Sequence, residues 1–158
     1  QLPEKLIPST IIKALRELPI TIYGDGNQIR DWIFVNDHVR ALTMILQSND
    51  FEGEKFNIGG EKELTNIEIV HFICDYLQEI VPNKKIYRDL ITHVNDRPGH
   101  DNRYAINCSK FKSKFEWYPD ENIFLELKKT ILWYVENTGW WEEAIKDGNL
   151  LKRQGIYN

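Results

Sequence analysis

Long apolar runs are absent from this 158-residue sequence, whose apolar stretches are no longer than a few residues, as in Thr130-Ile131-Leu132-Trp133-Tyr134-Val135. A helix needs ~20 apolar residues to cross a bilayer, so a membrane-spanning segment is excluded. Cysteine is scarce. Cys74 and Cys108 stand in unrelated contexts, with neither a Cys-x-x-Cys nor a histidine at ligand spacing. That excludes a disulfide framework and a zinc site, and the two thiols read as free cysteines of a reducing cytosol. Positive charge is also in deficit, with 20 Lys and Arg against 24 Asp and Glu for a net charge of −4. Broad nucleic-acid binding needs a basic surface that displaces counterions, so any anion bound by this chain must be held locally. Also missing are Gly-x-Gly-x-x-Gly, Gly-x-x-x-x-Gly-Lys-Ser/Thr and Gly-x-Ser-x-Gly, so no dinucleotide cradle, ATP cradle or nucleophile elbow is encoded. His38, His71, His93 and His100 are scattered, and none pairs with a second histidine or cysteine at metal-ligand spacing.

What is present is ordinary globular composition, 42% hydrophobic and 28% charged. A chain of this length buries roughly 68–70% of its unfolded surface, enough for one domain without staples. Ile7, Ile11, Leu15 and Leu18 define one face of a helix predicted over residues 4–18, which Pro19 ends. A strand over 20–23 follows, then Gly24-Asp25-Gly26-Asn27, a turn whose residues tolerate positive φ. Residues 32–35 read as extended, with Asp37 as the N-cap of an amphipathic helix carrying Val39, Leu42, Met44, Ile45 and Leu46. A strand is predicted over 54–58 before Gly59-Gly60, and Thr65-x-x-Glu68 is a capping box opening a helix over 66–81. Residues 86–94 are partly extended and lead into the polar loop Asp96-Arg97-Pro98-Gly99-His100-Asp101. Asn107 or Ser109 caps a short helix that ends near Trp117, and Phe124, Leu127, Ile131 and Tyr134 mark a helix over 123–136. Residues from 142 onward read as peripheral. The sum is an α/β domain with short strands and about five helices.

The 96–101 loop is the most informative segment. A guanidinium held there can fork two phosphate oxygens, although a surface pair between Arg97 and Asp96 or Asp101 explains it equally. Arg30 lies just past the Gly24–Asn27 turn, beside small residues that let a ligand approach, with a salt bridge to Asp31 as its simpler account. Tyr23 ends a strand where its ring could stack on a base, or be a core tyrosine. Lys5 and Asn66 sit near helix starts, where unpaired N–H groups attract anions; a solvated lysine and a plain cap are the alternatives. Together these residues suggest a nucleoside-diphosphate pocket.

Six segments, Pro3-Glu4-Lys5-Leu6-Ile7-Pro8, Ile22-Tyr23-Gly24-Asp25-Gly26, Gln28-Ile29-Arg30-Asp31-Trp32, Val35-Asn36-Asp37-His38, Phe56-Asn57-Ile58-Gly59-Gly60 and Asp96-Arg97-Pro98-Gly99-His100-Asp101, resemble in this order the C-terminal half of the dTDP-glucose 4,6-dehydratase family. That family lies within the extended short-chain dehydrogenase/reductases, and the resemblance runs from about residue 3 to 141. It implies a small mixed α/β substrate-binding domain over 1–158, with 142–158 as a peripheral tail and without the N-terminal Rossmann core. It further implies that Lys5 and Leu6 contact the nucleotide and that Thr21, Ile22 and Tyr23 pack on the thymine. Thr21 stands where the family usually has proline. By the same resemblance Arg30 and Arg97 grip the diphosphate and Asn66 hydrogen-bonds the nucleotide. The Asp96-Arg97-Pro98-Gly99-His100 loop closes on the same ligand.

The implied reaction oxidises the glucose C4 hydroxyl with NAD, eliminates water across C5 and C6 and returns the hydride at C6. The NAD fingerprint, the Tyr-x-x-x-Lys pair and the Asp-Glu pair of elimination belong to the other half of the family protein, so this segment is expected to hold no catalytic residue, cofactor or metal. Expected partners are a dTDP-sugar and the N-terminal Rossmann half, with no nucleic acid and no membrane. The family's homodimer forms mainly through helices of that other half, which leaves the present chain as a monomer with apolar surface exposed where the halves met. The cytoplasm is the expected location. Two alternatives remain: another extended-family nucleotide-sugar epimerase or dehydratase, and a free-standing nucleotide-sugar-binding module without catalysis.

Overall fold

Ile69, Val70, Ile73, Cys74 and Leu77 recur at helical spacing, and all are buried in the computed structural model, which describes residues 1–48, 53–120 and 122–146. The helix they form, α3 (Asn66–Ile80), is the centre of the fold. Around it lie α1 (Leu6–Leu15), β1 (Ile20–Tyr23) and α5 (Ile123–Glu136). Their buried faces, including Ile11, Ile12, Ile20, Ile22, Leu127, Ile131 and Tyr134, make one contiguous core. Two small sheets flank it. β1 pairs in parallel with β4 (Ile91–Val94), in the register Ile20 to Ile91 and Tyr23 to Val94. β2 (Ile29–Asp31) runs antiparallel to β3 (Glu63–Thr65) and parallel to β5 (Arg103–Tyr104). α2 (Val35–Gln47) and α4 (Ser109–Phe115) close on a second, aromatic cluster of Ala41, Phe111 and Trp117, with Phe56 and Phe115 edge-on at 5.4 Å. α6 (Thr138–Ala144) ends the described chain.

Local signals explain the boundaries. The predicted capping box is present: the Glu68 N–H donates to Thr65 Oγ1 at 3.2 Å and the Thr65 N–H donates to Glu68 Oε2 at 2.7 Å. Asn122 Oδ1 accepts from the Leu125 N–H and caps α5. α1 is shorter than its stripe predicts. Glu17 adopts a left-handed φ of 53°, and the Leu18 N–H donates to the Lys13 carbonyl while the Glu17 N–H donates to that of Ala14. That is a Schellman ending, which stops the helix at Leu15 and leaves Leu18 outside it. Pro8 falls within the first turn, where its missing N–H is not needed.

Four further expectations are corrected. The extended segment after the Gly24–Asn27 turn forms its ladder at Ile29–Asp31, not at 32–35. Phe34, not Asp37, occupies the N-cap of α2. Asp37 is instead buried in the first turn, where Oδ1 accepts from Arg40 at 2.7 Å and Oδ2 accepts from the Asp120 N–H at 3.0 Å. Residues 54–58 form no ladder, since no strand among the described residues lies beside them. The predicted peripheral tail from 142 onward includes one core residue, Ile145, which is buried in the main core; residues 147–158 lie outside the described residues. Among the described residues no helix is long and apolar enough to cross a membrane.

Replacing Thr65 by alanine removes a reciprocal cap, and should cost about 1 kcal/mol, or about 2–4 °C in Tm for a domain of this size. Thermal denaturation of wild type and Thr65→Ala measures it.

Candidate functional site

The Gly24–Asn27 turn joins β1 to β2, and the 95–102 loop joins β4 to β5. Because β1 pairs with β4 and β2 with β5, the two connections are forced side by side. The Gly24 N–H donates to the Val94 carbonyl at 2.9 Å and the Ile29 N–H to the Asn102 carbonyl at 2.8 Å. The turn needs both its glycines: Gly24 and Gly26 have φ of 61° and 81°, and a Cβ on Gly26 would stand 2.9 Å from both Ile22 and Ile67. Asp25 stiffens it by accepting from the Asn27 backbone and side-chain N–H groups, which hold its carboxyl below the usual aspartate value.

Beside this pair of connections, against the start of α1, opens a cavity of about 860 Å³. Lys5, Leu6, Thr21, Ile22, Tyr23, Arg30, Asn66, Arg97 and His100 line it. These nine come from five separate segments. Asp96, Pro98 and Gly99 do not line the cavity; Pro98 and Gly99 face solvent, and Asp96 acts behind it. Its Oδ1 accepts from His100 Nδ1 at 2.6 Å and from the Arg97 N–H at 2.8 Å, and its Oδ2 accepts from Gln28 Nε2 at 2.9 Å. The His100 contact in the first place holds the Asp96 carboxyl below its ordinary value.

The two arginines differ. Arg30 is 9% exposed and makes no ion pair with Asp31. Its Nη1 donates to the Ile29 carbonyl at 2.7 Å, its Nη2 to the Asp101 carbonyl at 2.9 Å, and its guanidinium lies 4.2 Å from the centre of the Tyr104 ring. A cation fixed by carbonyls and a ring keeps its net charge, where a carboxylate would cancel it. Arg97 is exposed, and among the described residues its guanidinium pairs with neither Asp96 nor Asp101. The surface-pair account of both arginines is thus replaced.

Another expectation fails in a useful way. The α3 start offers no spare backbone donors, because the Asn66 N–H donates to the Gln28 carbonyl, the Ile67 N–H to the Gly26 carbonyl and the Glu68 N–H to Thr65 Oγ1. Asn66 can meet a ligand only through its side chain. The N-cap of α1, Lys5, has no side-chain capping bond, and its ammonium is mostly exposed at 3.5 Å from Glu4.

Sequence reasoning missed Glu4, Lys13 and Tyr104 as cavity residues. Lys13 Nζ donates to Thr21 Oγ1 at 3.2 Å, and burial lowers its pKa. Its signal was legible as spacing: Ser9 and Lys13 continue the face begun at Lys5 in steps of four. Glu4 is nine-tenths buried, with Oε2 unpartnered among the described residues, as is Asp31 Oδ2. Cationic groups still outnumber these two carboxylates around the cavity, which suits an anionic ligand with apolar and aromatic walls from Leu6, Ile22 and Tyr23.

The cavity sits at the strand ends of a small mixed α/β domain, a fold shared with enzymes of the extended dehydrogenase/reductase type. The GDP-mannose 4,6 dehydratase family model matches residues 1–130, and the chain belongs to that family. The chain is 49% identical over 145 residues to a probable dTDP-glucose 4,6-dehydratase of Sinorhizobium fredii, covering 92% of this chain and 41% of that protein. Solved structures agree. The dTDP-glucose 4,6-dehydratase of Bacillus anthracis in complex with NAD superposes with a TM-score of 0.77 at 40% identity, over 91% of this chain and 43% of its own. The Streptomyces venezuelae enzyme, with NAD and TYD bound, gives 0.80 at 35% identity, over 91% and 42%. The chain therefore spans about two fifths of the length of these relatives.

Asp96 supplies a pH test. A carboxyl whose folded pKa lies below its unfolded value, 3.8, stabilises above that value and loses the contribution as pH falls through the lower folded one. Wild type should lose stability more steeply between about pH 5 and pH 2 than Asp96→Asn, as read from urea unfolding across that range.

Proposed function

We propose that this chain forms the C-terminal, nucleotide-sugar-binding portion of a dTDP-glucose 4,6-dehydratase. Its cavity takes the nucleoside diphosphate of a dTDP-hexose. The observation that carries the reading is the convergence of Arg30, held by carbonyls rather than carboxylates, and Arg97, whose guanidinium forms no ion pair among the described residues, beside the Tyr23 wall of one cavity. In this reading the two guanidinium groups flank the diphosphate, the Thr21-Ile22-Tyr23 strand and Leu6 pack on the base, and His100, oriented by Asp96, closes the phosphate side.

NAD does not fit the described residues. Among the described residues the one place where a strand runs straight into a helix is the junction of β3 and α3, at Thr65-Asn66. It has no glycine, and its first N–H groups are taken by Gly26, Gln28 and Thr65. A pyrophosphate therefore finds no helix N-terminus there. Oxidation, water elimination and hydride return depend on a Rossmann portion outside this chain. This chain's contribution is to bind and orient the dTDP-sugar. It acts in the cytosol, and with NAD and dTDP-glucose it turns over nothing by itself.

The same reading accounts for the outer face of α2. Val35, Val39, Leu42 and Leu46 follow at steps of four, three and four and are 62%, 53%, 44% and 80% exposed. An apolar helical stripe left in water marks an interface, here the seat of the Rossmann portion. Val39→Asp with Leu46→Asp should raise the solubility of this chain alone and abolish its capture by a co-expressed N-terminal portion.

Calorimetric titration tests the nucleotide reading. Saturable dTDP binding stronger than UDP or GDP binding is expected. Arg97→Ala should weaken it about 10- to 100-fold, the range for hydrogen bonds to a charged group. Equal binding of UDP assigns the cavity to another nucleotide-sugar enzyme of the extended family.

A further inference from the structure

Gln28 contributes nothing to the cavity wall, yet it is 5% exposed and its side chain touches three parts of the site. Nε2 donates to Asp96 Oδ2 at 2.9 Å and to the Tyr23 carbonyl at 3.3 Å, while Oε1 accepts from Asn66 Nδ2 at 3.4 Å. The direction of these bonds follows from chemistry. A main-chain carbonyl only accepts, and so does an ionised carboxylate, which is the state favoured for Asp96 by its bonds to His100 and the Arg97 N–H. Both neighbours on one side of Gln28 are therefore acceptors, so its NH2 must face them and its oxygen must face Asn66. Asn66 must then turn its own NH2 toward Gln28. Its backbone is held to the same residue, the Asn66 N–H donating to the Gln28 carbonyl at 3.0 Å.

We infer that Gln28 is a positioning residue that sets the polarity of the Asn66 amide, so that Asn66 offers its carbonyl oxygen, Oδ1, to a hydrogen-bond donor of the ligand. The inference rests on the nucleotide reading of the cavity and deepens it. A phosphate oxygen is the wrong partner for Oδ1. The donors that dTDP carries are the deoxyribose 3′-hydroxyl and the pyrimidine N3–H, so Asn66 reads the nucleoside, while the arginines take the diphosphate. A buried amide with all its bonds made holds one orientation, and one that loses its fixed acceptors is free to turn over.

The experiment is titration of the chain with dTDP, 3′-deoxythymidine diphosphate and N3-methylthymidine diphosphate, in wild type, Asn66→Ala, Gln28→Met and the double variant. If wild type binds no dTDP, the nucleotide reading itself fails, separately from this inference. Given binding, one of the two analogues should bind wild type about 5- to 10-fold more weakly than dTDP, a single hydrogen bond's worth. That discrimination should vanish in Asn66→Ala; the analogue affected identifies the donor. Gln28→Met should weaken dTDP binding at least threefold more in the presence of Asn66 than in its absence, the coupling that a double-mutant cycle isolates. Discrimination that survives in Asn66→Ala overturns the inference, and so does an equal effect of Gln28→Met in both backgrounds. Thermal denaturation verifies that each variant folds. Should Gln28→Met not fold, proton NMR of the wild type decides: a nuclear Overhauser contact between the Asn66 Nδ2 protons and the Gln28 side chain supports the assignment, and its absence overturns it.

Discussion

Two parallel strand pairings, β1 with β4 and β2 with β5, fix everything that happens at the cavity. Each pair is short, four residues and two, and parallel ladders of that length are weak by themselves. Their strength lies in being consecutive. The chain that leaves β1 enters β2 after a tight turn, and the chain that leaves β4 enters β5 after the 95–102 loop, so neither connection can move without breaking a ladder. The β1 strand is packed on α1 and α3 through Ile20 and Ile22, which ties the arrangement to the main core. Tyr23, Arg30, Arg97 and His100 come together because these ladders place their segments side by side.

Much of this was legible in the sequence because it is local. The α3 capping box, the α5 stripe and the glycines of the 24–27 turn each express a rule that operates within a few residues. Apart from the early, locally set end of α1, the expectations that failed depended on something distant. Asp37 suits an N-cap by type, but a bond from the Asp120 N–H, 83 residues away, draws it into the first turn. Residues 54–58 have strand-like side chains and no neighbouring strand to make them one. Arg30 beside Asp31 invites an ion pair in sequence, and the fold answers with the Asp101 carbonyl and the Tyr104 ring instead. Of the candidate ligand residues, Lys5, Leu6, Thr21, Ile22, Tyr23, Arg30, Asn66, Arg97 and His100 line the cavity, whereas Asp96, Pro98 and Gly99, in the same loop as Arg97, do not. Lys13 and Glu4 escaped because helical geometry alone places them, and Gln28 because it works from behind.

The site is also an instance of local charge in an acidic chain. With a net charge of −4, long-range attraction of any anion is weak, and affinity for one has to come from cations whose neighbours leave their charge intact. Elsewhere several lysines and arginines are committed to carboxylates: Lys110 and Lys114 to Glu54, Lys112 to Glu61, Arg88 to Asp75, Arg103 to Glu63. Carbonyl oxygens and an aromatic face hold Arg30 in place, and Asp96, the carboxylate nearest Arg97 in sequence, spends its oxygens on His100, Gln28 and a backbone N–H.

Gly99 stands at the outer tip of the 95–102 loop with a left-handed φ of 68° and nothing within 4 Å of where a side chain would begin. The loop is anchored at both ends by ladders and is unencumbered at its apex. Residues beside the apex can change without reaching the core, provided that Gly99 is kept, because its left-handed φ strains any other residue even in open space. The surface beside that fixed glycine is a place where the loop can drift at little risk to folding.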